Sequence, residues 1–396
     1  MSATCCVSSL CPKISAWSGS LTHGAAAIRR KTYPSTIIFT YRKKLTVLHV
    51  VANKEFLVRT FQELPKIDIS PLVEFCSDTS HYPAILPTSS SEALSEASYP
   101  SDVKRVASEI HAACQEVGFF YLTGHGVSQQ LVDDAREVGR EFFALADENK
   151  NEIALSKSPI FRGYQRLGEN ITQGRRDMHE AIDLYREHPA DHPLVLSGKP
   201  LHGPNPWPSQ PERFRLVVEE YVTKMKALGR TVLRGMAMGL HLPLDTFEHG
   251  RADDPFWVIR VIGYPPLAAH DTESLSCGEH TDYGLLTFVN QDPGITALQV
   301  KNKAGEWVNA PPVPGSFVVN IGDMLKLWTN GLYQPTAHRV VNRSRTFRVS
   351  VPFFYEPNFD ARVEPLEALV KTMGTSGLEP VVYGDHLCKK VFNNFG

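Results

Sequence analysis

A chain of 396 residues with 42% hydrophobic and 21% charged side chains has ample material for a buried core, and its apolar runs are too short to span a bilayer. Its formal charge of −2 and seven cysteines without CxxC spacing exclude a strongly basic nucleic-acid binder, a disulfide scaffold and a zinc ribbon.

The first 54 residues contain no Asp or Glu and carry eight Lys or Arg among many Ser and Thr. That composition predicts a plastid or mitochondrial transit peptide; the alternatives are a disordered basic tail and a cytoplasmic protein. Taking those eight from the chain's 41 basic residues leaves 33 against 43 acidic ones, so the remainder carries −10. The expected partner is a small molecule, with neither nucleic acid nor membrane, and a monomer is expected.

"LPKIDISPL" (64–72) alternates Ile67 and Ile69 and predicts a short strand opening the folded part. Residues 77–102 read as a Ser- and Pro-rich loop. Val106, Ile110, Ala113 and Val117 then recur on one helical face, and Gly118 ends that helix. "FFYL" follows as a strand and "TGHG" as its turn. Ser128 is placed to cap a second helix carrying Leu131, Val132, Ala135, Val138 and Phe142. A third helix is predicted from near Ser209 and Pro211 to about Leu240, its Met and aromatic stripe serving as core. After Asp254 the period changes to two through seven short segments, from "FWVIRVIGYP" to "FRVSVPFFYEP", the pattern of a β-sandwich, jelly roll or barrel. The last segments, "PLEALVKTMG" and "YGDHLCKKVFNNF", return to helix.

Within "GEHTDYGLLTFV" (278–289), His280 and Asp282 project to one side of an extended chain. Alone, such a pair is as readily a polar turn before a strand. A third donor, His338 in "TAHRVVN", changes the reading: two histidines and one carboxylate leave three positions of a metal open, the arrangement of non-haem Fe(II) oxygenases. Along 347–355, Arg348 and Ser350 share the face opposite Phe347, Val349, Val351, Phe353 and Tyr355. A guanidinium carried inward needs an anion, and its planar fork suits a carboxylate; an exposed edge-strand pair is the alternative.

HxD, a distal His and RxS in this order resemble the isopenicillin N synthase-like branch of the 2-oxoglutarate- and Fe(II)-dependent dioxygenases. "VGFFYLTGHGV" (117–127), "VIGYPP" (261–266) and "NIGDML" (320–325) resemble further segments of that family, and the likeness spans about 64–395. It implies a mainly β fold: a double-stranded β-helix (jelly-roll) core over 255–360, preceded by a helical region with short strands over 55–240 and followed by a helical segment over 361–396. It further implies that His280, Asp282 and His338 bind Fe(II), that Arg348 and Ser350 hold the distal carboxylate of 2-oxoglutarate, and that Tyr264 contacts the same cosubstrate. Ile262 stands where many members carry Asn. The implied reaction consumes O2, with ascorbate as a reductant, and hydroxylates a small metabolite of specialised or hormone metabolism; desaturation and demethylation are related outcomes. An oxidase of the same fold that does not use 2-oxoglutarate and a non-catalytic binding protein are the alternatives.

The polar stretch "FRGYQRLGENITQGRRDMHEAIDLYRE" (161–187) is similar to a plant and fungal branch of unassigned substrate and, more distantly, to the 2-oxoglutarate-dependent ethylene-forming enzymes. Tyr164, Asn170 and Thr172 are its candidate substrate contacts, although they could serve only to order the loop. Arg175 and Arg176 read as solvated charges, and His125, His179 and His386 as packing histidines.

Overall fold

The computed structural model describes residues 39–41, 44–46, 60–77 and 99–395. The transit-peptide expectation and most of the expected loop at 77–102 fall outside them, apart from a short antiparallel pair, Phe39–Tyr41 with Lys44–Thr46. The described residues of 61–302 and 307–395 form one compact unit. Among the described residues no helix is long and apolar enough to cross a membrane.

Two sheets make the jelly roll. The larger has eight strands in the order Lys66–Asp68, Phe119–Thr123, Phe317–Ile321, Leu286–Gln291, Arg348–Tyr355, Val258–Tyr264, Glu180–Tyr185 and Gly163–Gln165. All its pairings are antiparallel except the first. The smaller runs Ser274–His280, His338–Asn342, Leu298–Lys301 and Trp307–Asn309. Strands buried on both faces explain the near-continuous apolar runs of the sequence. In Phe119–Thr123, Phe120 and Leu122 join the core on the helical side, whereas Phe119 and Tyr121 enter the layer between the sheets. The same split puts Val349, Val351, Phe353 and Tyr355 against the helices. By alternation, Arg348 and Ser350 turn inward between the sheets.

The helix Ser101–Glu116, the helix Gln129–Phe143 capped by Ser128, and the 26-residue helix Phe214–Gly239 pack on the outer face of the larger sheet. Gly229 is needed in the last of these, because a Cβ there would overlap the Tyr355 ring.

Two sequence expectations are corrected. The long helix starts at Phe214 and not near Ser209, since Phe214 N closes a turn on Pro211 O. The polar stretch 161–187, read from sequence as a loop, contains strands: Gly163–Gln165 and Glu180–Tyr185 extend the larger sheet. Their polar residues hid the alternation because partners elsewhere neutralise them; Asp183 lies 2.8 Å from Arg260 Nε and accepts from Gln165. Between the strands Phe317–Ile321 and His338–Asn342, "DML" opens a short helix, Asp323–Trp328, with Gly322 as its N-cap.

Candidate metal and cosubstrate site

His280 ends one strand of the smaller sheet and His338 begins its neighbour, and the register places them opposite each other with ring centroids 4.2 Å apart. Asp282, two residues beyond, brings Oδ1 to 3.7 Å from the Nε2 of each histidine. The three donor atoms lie within 4.8 Å of one another, and no other such group occurs among the described residues.

Hydrogen bonds orient each donor. His280 Nδ1 is 2.8 Å from Gly278 O and His338 Nδ1 is 3.2 Å from Thr336 O; a carbonyl can only accept, so each Nδ1 carries hydrogen and Nε2 is the nitrogen that would face a cation. Asp282 Oδ2 accepts from Thr287 Oγ1 and from Asn320 Nδ2, which leaves Oδ1 for a cation. Burial acts to raise the Asp282 carboxyl, but His338, His280 and these two hydrogen bonds outweigh it and hold the group below its ordinary range. Burial, with His280 beside it, pushes His338 down, favouring the neutral ring that a ligand requires. For His280, burial opposes charging, but Cys277, Asp282 and the Gly278 carbonyl raise it overall. In the metal-free chain its proton balances Asp282, and a divalent cation would take that place. Two imidazoles and one carboxylate oxygen, with no cysteine ligand, suit Fe(II) with open positions.

An anion slot lies on the inward face of the strand Arg348–Tyr355. Arg348 is 1% exposed, its Nε and Nη1 have no hydrogen-bonding partner, and Nη2 reaches only Gln291 Oε1 at 3.4 Å. Its guanidinium lies 4.5 Å above the Tyr264 ring, and the Tyr264 hydroxyl is 3.2 Å from Ser350 Oγ. A buried guanidinium with two unpaired nitrogens is costly until a carboxylate meets it, so the residues present fit the distal end of a 2-oxo diacid. Ile262, paired with Ser350 in register, contributes only apolar packing there.

Asp292 anchors this strand. It accepts from Val349 N, adjacent to Arg348, and from Arg140 Nη2 at 2.8 and 2.9 Å, tying the helix Gln129–Phe143 to the start of the arginine strand. Neither Asp292 nor Thr287 has a motif that marks it in sequence, and Asn320 opens the family-like segment "NIGDML" with no role attached to it. The remaining signal is that each is a polar residue within or beside a strand of otherwise apolar residues.

The candidate substrate residues all have hydrogen-bonding partners in the protein. Tyr164 donates to Glu180 at 2.6 Å, Asn170 Oδ1 accepts from Arg260 at 2.7 Å, and Thr172 donates to Asp177 at 2.6 Å. Thr172 nevertheless packs against Gly278, two residues before His280, and the buried Asn170 Nδ2 is unpaired. Arg175 and Arg176 are exposed. His125 packs on Phe317, and His179 is buried against Ser276 O, with its ring centroid 5.9 Å from that of Tyr264.

A jelly roll carrying two histidines and a carboxylate beside an unpaired buried arginine defines a non-haem iron oxygenase that takes a 2-oxo acid. Two family models match the chain: the N-terminal region of the non-haem dioxygenases, described for morphine synthesis, over residues 86–210, and the 2OG-Fe(II) oxygenase superfamily over residues 254–357. The chain belongs to that superfamily and is a hydroxylating 2-oxoglutarate-dependent dioxygenase, an enzyme using Fe(II), 2-oxoglutarate and O2, with ascorbate in support.

Among curated relatives, homoarginine-6-hydroxylase 2-ODD-233 of Oryza sativa subsp. japonica is 47% identical over 340 residues, covering 85% of this chain and 98% of the relative. Homoarginine-6-hydroxylase 2-ODD-C23 of Glycine max is 46% identical with the same coverage. A probable iron/ascorbate oxidoreductase of Dictyostelium discoideum is 36% identical, covering 67% of this chain and 79% of its own. Among solved structures, a full-length Neurospora crassa protein in complex with alpha-KG has a TM-score of 0.68 at 25% identity, covering 83% of this chain and 96% of that one.

Proposed function

We propose that this dioxygenase hydroxylates a cationic amino acid of the homoarginine class. One observation carries the reading: two relatives named homoarginine-6-hydroxylases are 46–47% identical to the chain along 98% of their own length. His280, Asp282 and His338 would hold Fe(II), and Arg348 with Ser350 and Tyr264 would hold 2-oxoglutarate. In this reading residues 255–360 are the catalytic core, 55–240 the preceding helical region and 361–396 a C-terminal cover. The chain acts as a monomer on a small molecule, with neither nucleic acid nor membrane as partner. The basic, acid-free composition of residues 1–54 supports import into a plastid or mitochondrion.

Bound Fe(II) supplies the redox chemistry in which O2 places one oxygen atom in a substrate C–H bond and the other in succinate, as 2-oxoglutarate loses CO2. The chain's own residues supply positioning. Gly278 O and Thr336 O fix the imidazole planes, while Thr287 and Asn320 keep one oxygen of Asp282 occupied and the other aimed at the cation. Arg348 neutralises the distal carboxylate inside a water-poor layer, and Asp292 keeps Arg348's strand in register with the helix behind it.

The test is incubation with Fe(II), 2-oxoglutarate, ascorbate and L-homoarginine, reading succinate and a product heavier by one oxygen, with L-arginine and L-lysine compared. Succinate that forms at the same rate with and without all three amino acids would refute the substrate class.

A further inference from the structure

We infer that Glu356 is the acceptor for the positively charged end of the substrate, a guanidinium or ammonium group. This rests on the reading that the substrate is cationic, and adds which residue of this chain recognises the charge.

Glu356 follows Tyr355, whose ring packs on Gly229 and whose hydroxyl donates to Ala252 O on the helical side. Alternation therefore turns Glu356 to the opposite side, the one that carries Arg348 and Ser350. There its carboxylate lies directly on Gly284, two residues past Asp282; a Cβ on Gly284 would overlap Glu356 Oε2. Only glycine leaves room for the carboxylate at that point.

Glu356 is 3% exposed and its Oε2 has no close hydrogen-bonding partner, while the Tyr383 hydroxyl and the Leu285 N–H lie near enough to the carboxyl to favour its charged form. Among the described residues no Arg, Lys or His forms an ion pair with Glu356. Arg260, which shares Tyr283 as a neighbour with it, is already matched to Asp183. Buried carboxylates in folded chains are paired or hydrogen-bonded, and an unmatched one is as costly as the unmatched Arg348. Burial accordingly pushes the Glu356 carboxyl up to about 8, with Asp282 adding to the rise and the Tyr383 hydroxyl and Leu285 backbone opposing it.

Two buried ionisable side chains that meet no opposite charge among the described residues thus project from one face of a single strand and its continuation. Arg348, at the start, awaits an anion; Glu356, at the end and beside Asp282, awaits a cation. A guanidinium offers parallel N–H donors that a carboxylate accepts two at a time, and the Tyr383 oxygen can accept a further one.

The experiment is an anaerobic titration of the Fe(II)- and 2-oxoglutarate-loaded protein, following how amino acids perturb the visible band of the chelated 2-oxo acid. Wild type is compared with Glu356→Gln and Glu356→Asp, using L-homoarginine and its neutral ureido isostere L-homocitrulline. The inference expects the band itself to persist in Glu356→Gln. It expects the Kd for L-homoarginine to rise about thirtyfold or more, the preference over L-homocitrulline to collapse by a similar factor, and Glu356→Asp to recover part of both. An unchanged Kd in Glu356→Gln, or a band lost together with binding, overturns it. Should wild type ignore L-homoarginine, the homoarginine reading fails by itself. L-Arginine, L-lysine and agmatine then decide: a response to one of them that Glu356→Gln abolishes upholds the inference, and no response to any cation overturns it.

Discussion

Thr287 and Asn320 are partners across adjacent strands of the larger sheet, and both donate to the same oxygen of Asp282. A carboxylate held in this way offers a cation one oxygen only, which keeps the remaining positions free for cosubstrate and O2. Asn320→Leu, or Thr287→Val, should weaken Fe(II) binding by roughly 10- to 100-fold without abolishing the fold, as loss of groups that orient metal ligands typically does. A metal titration followed by loss of competitor-dye fluorescence measures this, and wild-type affinity in both variants would show that Asp282 needs no such support.

Arg348→Ala should raise the Kd for 2-oxoglutarate about thirtyfold or more while Fe(II) affinity stays within a few-fold, because the side chain faces the anion slot and not the metal. Arg348→Lys should recover little, since an ammonium lacks the planar fork. Calorimetry with each ligand separates the two affinities, and equal losses of both would count against the assignment.

Asp292 is 4% exposed and holds Arg140, Arg136 and Val349 N together. Asp292→Ala leaves these donors without their acceptor and should cost on the order of 3 kcal/mol, read as a lower denaturant midpoint at unchanged slope. The partial exposure of Arg140 keeps the figure at the low end of the range for broken buried pairs.

The raised Glu356 carboxyl makes the stability of the metal-free protein depend on pH. Between the ordinary glutamate range and about 8, the unfolded chain is ionised there while the folded chain keeps its proton, so rising pH favours unfolding across that window. Glu356→Gln removes the penalty. Its melting temperature should exceed that of wild type at pH 8 and converge with it towards pH 5. A constant difference across that range would mean that Glu356 is ionised in the folded chain throughout.

Local chemistry was legible before any tertiary contact was known. Period-two runs after Asp254 mark strands because a strand must turn alternate side chains to different surroundings, and the apolar face opposite Arg348 made this arginine a candidate to point inward, with an exposed edge strand as the alternative. The helical stripe at Val106, Ile110 and Ala113 was equally plain. Glu180–Tyr185 was not, because Glu180 and Asp183 look solvated until Lys150, Tyr164 and Arg260 are brought to them from elsewhere in the chain.

Residue types and their order therefore pointed to short strands after Asp254, to HxD and the distal histidine as candidate donors and to an arginine set opposite an apolar face; the jelly roll and the ligand set followed only from the resemblance to a family, because alternation and donor chemistry by themselves fit a polar turn and an edge strand as well. Closure of the two sheets alone decided that His280 lies opposite His338, that Thr287 and Asn320 converge on one oxygen of Asp282, and that Glu356 meets no cation of the chain among the described residues. These are properties of register between strands far apart in sequence. A period of two says which way a side chain points and nothing about what stands opposite it.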